Sequence, residues 1–169
     1  LILLTLLFSA FFSGMEIAFV SSNKLRLQMD MQKENLTSSV LSIFYAHPDR
    51  YISTILVGNN IALVIYGMQM AQLLEPFLQA WVTNQALVAL LQTCFSTVVI
   101  LIAGEFLPKM IFKNNSNGWI RAFAVPMLLF YVLLYPISIF MSWLSEAIMR
   151  LFGLPIGKRD TYLVGRVDL

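Results

Sequence analysis

The spacing of basic residues constrains this chain more than any other feature. No lysine or arginine precedes Lys24, and none lies between Tyr51 and Pro108. Within those gaps run apolar stretches of about 20 residues, the length an α-helix needs to cross a hydrocarbon core about 30 Å thick. Inside a bilayer every backbone N–H and C=O must be satisfied within the protein, and a helix does this locally. Composition agrees. Of 169 residues, 59% are hydrophobic and 12% charged, and the mean hydropathy is +0.77. That is too little charge to cover the surface of a water-soluble domain.

Three spans are expected, at about residues 1–22, 51–74 and 85–108, with a polar break around Glu75-Pro76 and Thr83-Asn84 between the last two. They define an all-α membrane domain over residues 1–152. The first stretch has no basic residues before its apolar run, so it reads as a span and not as a signal peptide. Lys24, Arg26, Lys33 and Arg50 fall between the first two spans; Lys109, Lys113 and Arg121 follow the third. The tendency of Lys and Arg to stay in the cytosol then predicts an outside N-terminus and an inside C-terminus. Short cytoplasmic helices are expected between Lys24 and Ala46, before His47-Pro48 turns the chain back.

Ala122 to Met149 is also apolar and free of Lys and Arg, but Pro126 and Pro136 interrupt it. Proline removes a helical hydrogen bond and clashes with the preceding turn. A full crossing would also carry Arg150, Lys158, Arg159 and Arg166 to the outside. Two shorter helices in the cytoplasmic interface, over about residues 119–152, are expected instead. Trp119, Tyr131, Tyr135 and Trp143 suit that depth.

One polar group breaks the apolar pattern in each span. Ser9 and Ser13 stand one turn apart on the first, followed by Gly14 and Glu16. Gly58-Asn59-Asn60 interrupts the second. Gly104-Glu105 precedes Phe106-Leu107-Pro108-Lys109 in the third. Such groups inside a bilayer face protein or a water-filled cavity by default. Each also has a packing explanation. Small residues permit close helix approach, asparagines join helices by hydrogen bonds, and Glu105 stands at i, i+4 from Lys109. Their conjunction on three spans favours one shared site. Hydroxyl, amide and carboxylate oxygens are hard ligands for Mg²⁺, Ca²⁺ or Na⁺, and no His or Cys accompanies them. Pro108 lacks an N–H, which deprives the Gly104 carbonyl of its α-helical partner and offers a further oxygen. Glu16 reads as an interfacial group or a second carboxylate. No nucleophile–base pair, phosphate loop or nucleotide fingerprint is present, so an enzyme is not expected. Cys94, alone in an apolar run, excludes a disulfide framework.

Taken in order, Ser9-Ala10-Phe11-Phe12-Ser13-Gly14-Met15-Glu16, Val57-Gly58-Asn59-Asn60, Gly104-Glu105-Phe106-Leu107-Pro108-Lys109 and Tyr135-Pro136-Ile137-Ser138 resemble the CNNM/CorC family through its DUF21 transmembrane domain. The resemblance covers essentially the whole chain. It implies a homodimer in the cell membrane whose spans hold Mg²⁺ largely stripped of water, with Mg²⁺ export coupled to Na⁺ entry. The ligands would be Ser9, Ser13, Asn59, Asn60, Gly104 and Glu105. Gly14, Gly58, Pro108 and Lys109 would shape or gate the site. It also implies a hydrophobic belt helix after the third span. Residues 153–169 would be a linker toward cytoplasmic CBS domains that bind ATP, so the chain reads as a piece of a longer protein; nucleic acid is not an expected partner. Where many relatives carry a further asparagine one turn after the first of the pair, this chain has Leu63. The expected function is Na⁺-dependent Mg²⁺ export by alternating access. Its alternative is a membrane-anchored Mg²⁺ sensor that regulates a separate transporter and moves no ion itself.

Overall fold

The structure, a computed structural model, describes residues 1–23 and 36–152. Lys24, Arg26, Lys33 and the expected linker 153–169 lie outside the described residues. Among the described residues all regular structure is helical: α1 (Ile2–Ser21), α2 (Leu36–Ala46), α3 (Pro48–Gln79), α4 (Gln85–Ile100), a π-helical segment (Leu101–Phe106), α5 (Leu107–Asn114), α6 (Ser116–Ala122), α7 (Ala124–Leu133) and α8 (Tyr135–Leu151). Three continuous helices are long and apolar enough to cross a membrane: Ile2–Ser21, Pro48–Gln79 and Gln85–Asn114. The three-span all-α reading therefore holds, and the protein is a multi-pass membrane protein.

Local chemistry explains where these helices begin. Pro48 opens α3, where a missing N–H costs nothing because the first turn leaves its donors free. The Asn84 side chain caps α4 by accepting from the Ala86 N–H at 3.0 Å. Asn115 caps α6 in the same way, accepting from Gly118 at 3.2 Å. Pro76, expected to lie in a break, instead sits inside α3, which runs on to Gln79. Its ring removes one hydrogen bond, a loss that membrane helices tolerate when neighbours re-satisfy the carbonyl.

The last apolar stretch is segmented, as its prolines predict. Pro136 lies in the opening turn of α8 and Pro126 in that of α7, with helix interruptions at Phe123 and Leu134. α6 and α7 are bent by 62°. α8 docks on α3 through a buried hydroxyl pair, Thr54 Oγ1 to Ser138 Oγ at 2.9 Å. Arg50 adds a bond to the Tyr135 hydroxyl at 3.4 Å, and its guanidinium lies 5.7 Å from the centroid of that ring.

The spans alternate in direction. Phe19, near the end of α1, meets Tyr51, near the start of α3, with ring centroids 4.4 Å apart. Farther along α3, the Tyr66 hydroxyl donates to the Ser96 carbonyl of α4 at 3.1 Å. Arg50 and Lys109 consequently share the end of the bundle at which α1 finishes. Two apolar clusters result. The larger, at that end, includes Phe12, Phe19, Phe44, Tyr51, Ile120 and Met127. The smaller buries Tyr66, Met70 and Ile100, with Ile2, Leu6 and Leu63 leaning on it. The Ser22 and Tyr45 hydroxyls bond to each other beside the larger cluster. Burial there pushes the Tyr45 phenol above its ordinary pKa, and the Ser22 bond offsets part of that shift.

Candidate cation site

Between the two clusters, three helices bring polar groups together. Ser9 and Ser13, on one face of α1, are 0% and 1% exposed. The Ser9 hydroxyl donates to Asn59 Oδ1 of α3 at 2.8 Å. From the third span comes Gly104, where a Cβ would stand 3.1 Å from Ser9 Oγ and 2.6 Å from Ile100 Cδ1. Glycine is therefore what lets this backbone reach Ser9. Ser9, Asn59 and Gly104 thus meet, one from each span.

Ser13 completes the α1 face with an unmet demand. Its buried Oγ has no hydrogen-bond partner, a deficit of about 1–3 kcal/mol for a desolvated polar group. Serine and threonine in helices commonly relieve this by bonding back to their own backbone. Thr5, Thr54, Thr93 and Ser116 all do so here.

The third span supplies backbone oxygen. Across the π-helical segment the Leu107 N–H donates to the Ile102 carbonyl, five residues back. In an α-helix that N–H would serve Ala103, and residue 108 would serve Gly104, but Pro108 has none. Two successive carbonyls, Ala103 and Gly104, are thereby left without their α-helical partners. Single-turn π segments often mark functional positions for this reason. Glu105 follows, half-buried, and among the described residues its carboxylate has no hydrogen-bond or ion-pair partner.

A profile described as "Cyclin M transmembrane N-terminal domain" matches residues 1–169. The chain belongs to this family. Among curated relatives, it is 25% identical over 167 residues to "UPF0053 protein MG146" of Mycoplasma genitalium, covering 95% of this chain and 38% of the relative. It is 26% identical over 165 residues to the homologue of that protein in Mycoplasma pneumoniae, covering 95% and 38%. It is 26% identical over 162 residues to "UPF0053 inner membrane protein YfjD" of Escherichia coli, covering 95% and 35%. The chain thus spans little more than a third of the length of these relatives.

In this cyclin M domain the structure gathers Ser9, Asn59 and Gly104, with Ser13 one turn along α1 and Glu105 adjacent to Gly104. Asn60 is exposed on α3, because consecutive helical residues point about 100° apart. Leu63, one turn after Asn59, packs into the smaller cluster. A Cβ at Gly58 would stand 2.5 Å from the Phe12 ring and one at Gly14 2.7 Å from the Phe112 ring, so these glycines seat aromatic rings at the helix contacts. Pro108 is buried. Among the described residues no group of three or more His, Cys, Asp or Glu side chains could hold a metal. The donors here are hydroxyl, amide and carbonyl oxygens with one carboxylate. An apolar groove of about 250 Å³ between Leu4, Phe8, Pro126 and Phe130 offers no such oxygen and is separate from this site.

Lys109 does not pair with Glu105. Its ammonium lies 3.6 Å from Glu16 Oε2 on α1. The i, i+4 spacing aligns two side chains only within one uniform α-helix, and the π-helical register at Glu105 breaks that phase before α5. Neither this pair nor the π segment was legible as such. The sequence signal for the second was a glycine four residues before a proline.

Proposed function

We propose that this cyclin M domain carries a divalent cation, Mg²⁺ foremost, out of the cell by alternating access, with Na⁺ entry as the coupled movement. The observation that supports this most is the buried meeting of Ser9, Asn59 and Gly104 beside the unpartnered Ser13 hydroxyl. A cation bound there would take Ser9, Ser13 and Asn59 oxygens, the carbonyls freed at Ala103 and Gly104, and the Glu105 carboxylate. These are hard donors of the type Mg²⁺ and Ca²⁺ prefer. A single carboxylate among neutral oxygens holds such an ion moderately, as release requires. Asn60 and Lys109 stand at the margin, the first turned to the outside of the protomer and the second beside the cytosolic entrance.

In this reading the N-terminus lies outside and the basic end of the bundle faces the cytosol, with α6 to α8 forming a belt in the cytoplasmic leaflet of the cell membrane. Two copies pair in the bilayer, which would give the exposed Asn60 a polar environment. The remainder of a relative-length chain would carry ATP-binding CBS domains that bias the two conformations. Occupancy acts by differential affinity for those conformations.

Flux through proteoliposomes containing the purified protein alone tests the proposal. Mg²⁺ movement that depends on an opposed Na⁺ gradient, and falls at least tenfold in Glu105→Gln, is expected. Absent flux with intact Mg²⁺ binding would turn the reading toward a membrane-anchored sensor.

A further inference from the structure

We propose that the Glu16–Lys109 ion pair is a charge-operated latch between α1 and α5, opened by a divalent cation in the site beside it. The inference rests on the cation-site reading above. Glu16 is three residues beyond Ser13, and Lys109 is four beyond Glu105. On both helices the pair is therefore about one turn, roughly 5.4 Å of rise, from the proposed ligands. The helices are in close contact there, since Gly14 has the Phe112 ring seated against it. The latch sits where α1 and α5 would have to part for the site to open at this end.

The pair suits exchange more than anchoring. Its charges are 3.6 Å apart, with Lys109 41% and Glu16 34% exposed. Ion pairs in that state of solvation add little to stability. A divalent charge at Glu105 acts on both members in the same sense. It repels the Lys109 ammonium and attracts the Glu16 carboxylate, and a low-dielectric surrounding strengthens both forces. When the site is empty, Lys109 supplies the positive charge for a neighbourhood that holds two carboxylates. Occupancy is thereby converted into release of α1 from α5. By linkage, the closed latch weakens cation binding by the factor with which the cation opens it.

Mg²⁺ titration of the full protein in nanodiscs reads the coupling directly. Lys109→Gln is expected to tighten the Mg²⁺ Kd by about fivefold or more, and Lys109→Arg to leave it near wild type. Glu16→Gln also opens the latch but strands the Lys109 charge beside the site, and is expected to bind Mg²⁺ several-fold more weakly than Lys109→Gln. The double variant Glu16→Gln/Lys109→Gln, with the latch open and no stranded charge, is expected to stay tighter than wild type. A purely structural pair would shift thermal unfolding and leave every Kd unmoved. A second measurement does not depend on the charge variants. With Cys94→Ser as background, Gly14→Cys/Phe112→Cys, which keeps both latch charges and reports the adjacent α1–α5 contact, should form a disulfide several-fold more slowly in Mg²⁺ than in choline chloride of equal ionic strength. Glu105→Gln should abolish that difference. Wild-type protein that fails to bind Mg²⁺ would overturn the site reading and the latch together. Wild-type binding with unmoved Kd values and Mg²⁺-indifferent cross-linking would overturn the latch alone.

Discussion

At the end of the bundle where α1 finishes, Phe19, Phe44, Tyr51 and Tyr131 interlock, with Tyr51 ring centroids 4.4 Å from Phe19 and 4.6 Å from Phe44. At the opposite end the buried residues are Tyr66, Met70 and Ile100, and their neighbours only lean on them. Lipid tails are as apolar as these side chains, so close packing and hydrogen bonds do the holding in both regions. The aromatic end has many such contacts, reaching α2, α3, α6 and α7; the other has few. Helix separation therefore costs less at the thin end, and the site between them has one firm wall and one compliant one. Regions with few buried contacts open first.

Large-to-small substitution tests that contrast most severely. Phe44→Ala, at a residue 0% exposed, is expected to lower stability by about 3–5 kcal/mol, read as loss of folded protein in mixed-micelle unfolding. Met70→Ala in the smaller cluster is expected to cost about 2 kcal/mol, the low end for such a change. Equal losses would remove the distinction. Next in size is Gly58→Ala, which drives a methyl into the Phe12 ring and should cost about 1–3 kcal/mol. Phe12→Leu should relieve much of that in the double variant, because contacting residues are not additive.

Smaller effects sharpen the polar side of the contrast. Thr54→Val leaves Ser138 without its interhelical partner and should cost about 1–2 kcal/mol; adding Ser138→Ala should recover part of it. Ser13→Ala should leave the ion-free protein as stable as wild type or slightly more so, since it removes an unpartnered hydroxyl. The same variant should lose Mg²⁺-induced thermal stabilisation, the separation expected where function is held at the expense of stability. Unchanged Mg²⁺ stabilisation would exclude Ser13 as a ligand.

The reach of sequence reasoning differed between these elements. Apolar length between basic residues defined the three spans, and proline positions defined the segmentation after Asn115, because both follow from backbone chemistry that is local. The meeting of Ser9 with Asn59 was legible for another reason: a polar residue in each span has few places to go. What escaped was phase. The continuation of α3 through Pro76, the exposure of Asn60 and the choice by Lys109 of Glu16 all depend on how helices rotate against one another. No local pattern carries that rotation.

The π-helical segment from Leu101 to Phe106 has a consequence for chain length. A π turn absorbs one residue more than the α-helix around it needs, while the flanking helices keep their facing. Ile100 and Phe112 would hold their places against α1 in a chain one residue shorter through this stretch. The two carbonyls without α-helical partners would fall to one, the carbonyl four residues before the proline. Insertion and deletion here thus alter the candidate site while sparing the architecture, the reverse of what a changed helix length ordinarily does.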